Sequence, residues 1–150
     1  MTNLLSLSSN ILSKVVDENI SFSIAIRNFT KDKKITNTER RSTASLVSCS
    51  LKHFYVFDRK ILGLFPNVSN KVKYDLFIYL ANTLFINAVT SQEASSFVDS
   101  IFNNEIDDAN KDSFKAFLDA SSSKDFLLID DLKENSFEFL SIRYNTPLWL

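Results

Sequence analysis

The chain contains a single glycine, Gly63, among its 150 residues, and only two prolines. Tight hairpin turns need residues that accept a positive φ, and loops that cradle phosphate groups need glycine for close backbone approach. One glycine therefore excludes the glycine-rich loops of dinucleotide-binding enzymes and of P-loop proteins. We accordingly expect an all-α fold.

The composition is that of a folded domain, with 45% hydrophobic and 23% charged residues. We predict a single domain over 1–150, with a helical bundle over approximately 1–144. The longest apolar stretch, 76–89, is shorter than the roughly 20 residues needed to cross a membrane. The N-terminus has no secretory signal pattern, and a lone cysteine, Cys49, is typical of a reducing compartment. We therefore expect a cytoplasmic protein without membrane association.

Apolar residues recur at intervals of three and four along most of the chain, which predicts a compact bundle of about seven or eight helices. The expected positions are about 3–16, 21–29, 36–54, 58–65, 70–88, 90–102, 112–118 and 136–143. The segments 36–39 and 90–93 have the capping-box pattern that opens helices. The most apolar helix, 70–88, is expected at the centre of the core. The run 126–129 fits a strand or a helix.

Charge is distributed unevenly, although the net charge is only −1. The segment 27–60 carries nine basic and three acidic residues, whereas 93–138 carries four basic and twelve acidic residues. One interpretation is a basic face that binds nucleic acid. The other is that lysine and arginine simply solvate the outer faces of helices. Charge alone leaves both interpretations open.

The only thiol and the only imidazole, Cys49 and His53, are four residues apart and so share a helix face. Such a pair could supply a nucleophile and a base, but no third residue orients the histidine, and packing is the simpler interpretation. Two ligands are too few for a structural zinc site. The acidic pairs 107–108 and 130–131 are read as surface charge. We assign no catalytic residue, no metal site and no cofactor to this chain.

Four short motifs follow one another along the chain. Residues 29–41 contain three closely spaced lysines and end in Thr-Glu-Arg-Arg. Residues 44–52 contain the pair Leu-Val and, after three further residues, the pair Leu-Lys. Residues 95–102 contain Phe-Val-Asp-Ser-Ile, and 142–150 read Ile-Arg-Tyr-Asn-Thr-Pro-Leu-Trp-Leu. In this order they resemble segments of the NusB-like N-terminal domain of the Sun/Fmu (RsmB-type) ribosomal RNA cytosine-5 methyltransferase family. The last motif is the most specific.

The resemblance implies a compact NusB-like helical domain that assists RNA recognition. It also implies a parent enzyme that binds S-adenosylmethionine and whose catalytic cysteines lie in a methyltransferase domain absent from this sequence. Residues 145–150 would begin the linker to that domain. Cys49 matches no catalytic cysteine of the family, so this chain by itself is expected not to be an enzyme.

Our leading hypothesis is a non-catalytic RNA-binding domain whose cations engage the phosphates of an RNA, ribosomal RNA by the resemblance. The proposed RNA-binding residues are Lys31, Lys33, Lys34, Arg40, Arg41 and Lys52. The alternative is a helical protein–protein interaction module without direct RNA binding. That module would dock onto the absent catalytic domain or onto a protein partner through apolar surface around Trp149. A small enzyme using Cys49 and His53 is a third hypothesis.

Overall fold

The computed structural model describes residues 3–31 and 35–105, with side chains described up to residue 101. Every secondary-structure element in this part of the chain is helical, which confirms the all-α prediction there. The elements are α1 (Leu4–Asp17), α2 (Phe22–Thr30), α3 (Asn37–Lys52), α4 (Phe54–Leu64), α5 (Asn70–Ala81), a π-helical turn (Asn82–Ile86) and α6 (Ser91–Glu105). These are six α-helices where seven or eight were predicted for the whole chain. The helices expected at 112–118 and 136–143, and the run 126–129, lie outside the described residues.

The helices begin where side chains can bond the free N–H groups of a first turn. The Asn3 side chain accepts two backbone N–H bonds, each 3.1 Å long, at the start of α1. The Ser21 hydroxyl accepts one from Ile24 at the start of α2. At α3 the capping box is complete: Thr36 Oγ1 accepts from the Glu39 N–H, and Glu39 Oε1 accepts from the Thr36 N–H, both at 3.0 Å. These bonds fix the first turn of α3, which carries Arg40 and Arg41.

The third helix ends earlier than its apolar pattern predicts, because the chain changes direction at His53. This residue follows the last residue of α3 and precedes the first residue of α4, with φ −104° and ψ 20°. The change of direction lets Val56 and Phe57 of α4 reach the core. The predicted short helix at 58–65 is therefore the second part of a longer helix, which ends before Pro66.

The core centres on α5, which packs against α1, α3, α4 and α6. Its side chains Leu76, Phe77, Ile78 and Leu80 are fully buried, so the expectation that this segment lies at the centre is confirmed. Burial of each large apolar side chain contributes about 1.5–3 kcal/mol. α1 supplies the largest partner surface of α5.

Polar contacts fix α5 to its neighbours. The Tyr74 hydroxyl donates to Asp17 at the end of α1 over 2.6 Å, and Ser9 of α1 donates to the buried carboxylate of Asp75. Lys73 Nζ lies 3.1 Å from Asp58 of α4. Within the described segments, no helix has the length and apolar character required to cross a membrane.

Candidate nucleic-acid interface

One exposed stripe of α3 carries a cation at each end and hydroxyl groups between them. Arg41, Ser45, Ser48 and Lys52 follow one another at intervals of four, three and four residues, and all four are exposed. At 100° per residue these positions fall within a narrow arc of the helix surface. The rise of an α-helix puts the Cα atoms of Arg41 and Lys52 about 16 Å apart. We call these four residues the α3 face.

The predicted phosphate-binding residues divide into three groups. Arg41 and Lys52 share the α3 face, and Arg40, also exposed, is directed about 100° away around the same helix. Lys31 is exposed and follows the last residue of α2. Lys33 and Lys34 lie outside the described residues. The geometry of α3 thus brings two of the six together on one face.

An open groove runs beside the α3 face, between the first residue of α2 and the π-helical turn. Its volume is about 520 Å³. It is lined by Phe22, Ala44, Ser45, Ser48, Cys49, Lys52, His53, Phe85 and Ile86. No acidic side chain is among these residues, and Lys52 carries the only permanent charge. We call this cavity the α3 groove.

The π-helical turn forms one wall of the α3 groove through Phe85 and Ile86. The turn is closed by the buried side chain of Asn82, whose Oδ1 accepts from the N–H groups of Ala88 at 2.8 Å and Val89 at 3.3 Å. Asn87 ends the turn in the left-handed region, with φ 53°. Turns of this kind are often found at functional sites.

Sequence reasoning missed this wall, because it continued a regular helix from 70 to 88. The π-helical turn has one extra residue in its hydrogen-bonded loop, so it rotates the residues after Ala81 relative to a regular helix. A signal was present: Asn82 and Asn87 interrupt an apolar run, and asparagine both caps backbone groups and tolerates the left-handed region.

The His53 ring stacks on Phe85 and is held within the groove lining. Burial, and to a smaller extent the charge of Lys52, lowers the pKa of His53 below its usual 6.5. The lowered pKa favours the neutral imidazole, in which one ring nitrogen donates and the other accepts a hydrogen bond. A neutral ring offers an aromatic surface and polar edge without adding charge.

The Cys49 thiol lines the same groove. Burial raises its pKa to about 11, although the charge of Lys52 partly opposes that rise. A thiol with such a pKa is protonated at neutral pH and is a weak nucleophile. Among the described residues, no group of three or more His, Cys, Asp or Glu side chains is arranged to hold a metal ion.

A second pocket, of about 310 Å³, lies between α1, α5 and α6. Its lining is mainly hydroxyl and amide groups, with Asp75 and Lys71 as the charged members. The Asp75 carboxylate accepts from Ser9, and Lys71 Nζ lies 3.8 Å from it. The two charges of this pocket are thus paired with each other.

Comparison with protein-family models, with curated proteins and with solved structures gave no match for this chain. The described residues define an all-α protein with an exposed face that is basic at both ends and is bordered by an open groove free of acidic side chains.

Proposed function

We propose that this chain is a non-catalytic RNA-binding domain whose α3 face engages phosphate groups. The observation that supports this most strongly is the placement of Arg41 and Lys52 on one exposed face, beside a groove whose described lining residues include no acidic side chain. Lysine and arginine side chains supply most of the affinity of proteins for nucleic-acid backbones. Ser45 and Ser48 lie between the two cations and carry no charge, so the phosphate contacts of this face are assigned to Arg41 and Lys52.

The acidic residue closest to Arg41 in the sequence is on another side of α3. Glu39 lies two residues before Arg41, about 200° away around α3. Its carboxylate accepts the Thr36 N–H in the capping box. Glu39 therefore does not lie on the α3 face, and its negative charge favours the start of the helix through the macrodipole.

The resemblance to NusB-like domains supports a more specific form of the proposal. On that basis the RNA is ribosomal, and the domain holds it for a methyltransferase domain that uses S-adenosylmethionine. Lys31, Lys33, Lys34 and Arg40 would then extend the phosphate contacts beyond the α3 face. This chain would contribute RNA affinity, while the choice of target nucleotide would come from the catalytic domain.

The protein-docking alternative depends on Trp149, which lies outside the described residues. Within the described residues, the exposed large apolar side chains are Ile24 of α2 and Leu62 of α4. Single exposed apolar side chains are common on monomeric proteins and do not define a docking surface. The α3 face is therefore the stronger functional feature.

The test is RNA binding measured by fluorescence anisotropy at low salt, with a labelled 12-nucleotide oligouridylate as the probe. The variant Arg41→Ala/Lys52→Ala should bind about tenfold more weakly than the wild type, because two charge-assisted contacts are lost. The control Lys71→Ala removes one positive charge from the second pocket and should change affinity less than about twofold. Absence of binding by the wild type, or equal weakening in both variants, would contradict the proposal.

A further inference from the structure

We propose that the α3 groove receives an unpaired nucleobase of a single-stranded RNA, while Arg41 and Lys52 hold phosphates on either side of it. This inference rests on the proposed RNA binding and adds to it a class of substrate, single-stranded RNA, and a specific contact. It follows from the position of the groove: Ser45, Ser48 and Lys52 belong both to the α3 face and to the groove lining. A strand that contacts both cations would therefore run along the border of the groove.

The size of the groove suits a base. Its volume of about 520 Å³ lies within the range typical of small-molecule sites. About 16 Å separates the Cα atoms of the two cationic residues along α3, which leaves the groove accessible between two bound phosphates. Lys52 lines the groove and Arg41 does not, so a base in the groove would lie next to the Lys52 end of the α3 face.

The chemistry of the lining also suits a base. Phe22, Phe85 and Ile86 provide apolar and aromatic surface, and such surface binds the faces of unstacked bases in many RNA-binding proteins. The hydroxyls of Ser45 and Ser48 can donate to or accept from the polar edge of a base. Lining of this mixed character, apolar with a few hydroxyl groups and one cation, is complementary to an uncharged planar heterocycle with polar edges.

The walls of the groove are fixed before any ligand binds. The stack of His53 on Phe85 joins the end of α3 to the π-helical turn. Asn82 closes that turn through two backbone hydrogen bonds. A site whose walls are already ordered loses little conformational entropy on binding.

Double-stranded RNA should use the face differently. Its bases are paired and stacked within the helix, and proteins contact it mainly through phosphates and sugar hydroxyls. A duplex could contact Arg41 and Lys52, but it could not place a base in the groove. The inference therefore predicts that filling the groove weakens binding of single strands selectively.

The experiment uses the full chain and two labelled probes, a 12-nucleotide oligouridylate and a 12-base-pair RNA duplex. The variant Ser45→Leu/Ser48→Leu fills the groove with aliphatic side chains and keeps both cations. The matched control is Ser91→Leu/Ser95→Leu, which makes the same exchange at exposed positions of α6 that line neither pocket. Leucine favours helix more than serine does, so both variants should fold, and circular dichroism checks this.

We expect the groove variant to bind the single strand about tenfold more weakly, a loss comparable to that of one stacked base, and to bind the duplex within about twofold of the wild type. The control should match the wild type on both probes. The inference would be overturned if the groove variant bound the single strand as tightly as the wild type does. It would also be overturned if the groove variant lost affinity equally for both probes. If Arg41→Ala/Lys52→Ala still weakens binding in either case, the proposed RNA binding stands without the base site.

A second measurement reports on the base itself. An oligouridylate with one central 2-aminopurine should lose fluorescence on binding to the wild type, because stacking on aromatic side chains quenches this base. The groove variant, at saturating concentration, should leave the fluorescence close to that of free RNA. Unchanged fluorescence with the wild type, despite binding, would overturn the inference. In that outcome the groove would hold solvent or a side chain of a protein partner, and not a base.

Discussion

The ring of His53 lies parallel to the ring of Phe85, with centroids 4.6 Å apart and an interplanar angle of 1°. His53 stands where α3 gives way to α4, and Phe85 belongs to the π-helical turn after α5. The contact therefore joins the junction of α3 and α4 to a turn whose Phe85 lies more than 30 residues further along the chain. It connects two sides of the α3 groove, at a position where α4 begins without a side-chain capping bond.

The His53–Phe85 stack should make a measurable contribution to stability. In a double-mutant cycle with His53→Ala and Phe85→Ala, we expect a coupling free energy of about 0.5–1.5 kcal/mol, as found for aromatic pairs. Urea unfolding of the wild type, both single variants and the double variant gives this value directly. Additive effects of the two substitutions would show that the rings contribute only by separate burial.

The pKa of His53 should be lower than that of an unfolded histidine. The chain has one histidine, so its imidazole proton signal in an NMR titration needs no assignment. We expect a midpoint below 6.5, because burial and Lys52 both disfavour the charged ring. Lys52→Met should raise the midpoint but leave it below 6.5, since burial is the larger cause. A wild-type midpoint at or above 6.5 would contradict this account.

The same shift predicts how stability responds to acid. Because the pKa of His53 is lower in the folded state than in the unfolded state, the unfolded chain binds more protons once the pH falls to about 6.5. The free energy of unfolding therefore decreases as the pH falls below about 6.5, because protonation of His53 favours the unfolded chain. His53→Gln should lose less stability than the wild type between pH 7.5 and 5.5 in urea unfolding. An equal loss in both proteins would exclude His53 as a source of the effect.

The Cys49 thiol should react slowly in the folded protein. With a folded pKa of about 11 against the usual 9.0, the thiolate fraction at pH 8 is about a hundredfold lower than in the unfolded chain. Alkylation by iodoacetamide should slow accordingly when the protein is folded, compared with the same reaction in concentrated urea. Lys52→Met should slow it further, because Lys52 lowers the pKa. A folded thiol that reacts as fast as the unfolded one would contradict the assignment.

The π-helical turn should depend on Asn82 more than on Asn87. Asn82→Ala removes the acceptor of two backbone N–H groups and should cost about 1–3 kcal/mol of unfolding free energy. Asn87→Gly keeps the left-handed conformation available and should change stability by less than about 0.5 kcal/mol. Thermal or urea unfolding compares the two variants. A larger loss from Asn87→Gly would mean that the turn is held by contacts other than the Asn82 side chain.

Much of the fold follows from local sequence signals. Hydroxyl and carboxylate groups at Ser21, Thr36 and Glu39 bond the free N–H groups of a first turn, and such bonds depend only on residues three positions apart. Apolar periodicity locates α5 for the same reason, since a buried face repeats along a helix. The break at His53 is different, because the apolar pattern runs through it. The helix that follows the break packs against α5, and no pattern of residues three or four apart predicts such a contact.

The candidate site was predictable in part. The spacing of Arg41, Ser45, Ser48 and Lys52 is visible in the sequence, so the α3 face could be read directly from helical geometry. Local charge alone did not separate Arg41 from Arg40, although the two point about 100° apart. The groove could not be predicted, because it forms where Phe22 and Phe85, distant in sequence, meet α3.

The most direct test of phosphate binding by the α3 face is the dependence of RNA affinity on salt. For single-stranded RNA, each neutralised phosphate contributes about 0.7 to the slope of log affinity against log salt concentration. Removing two such contacts with Arg41→Ala/Lys52→Ala should therefore reduce the magnitude of the slope by about 1.4, while Lys71→Ala should leave it at the wild-type value. An unchanged slope in the double variant, or the same reduction in Lys71→Ala, would contradict the account.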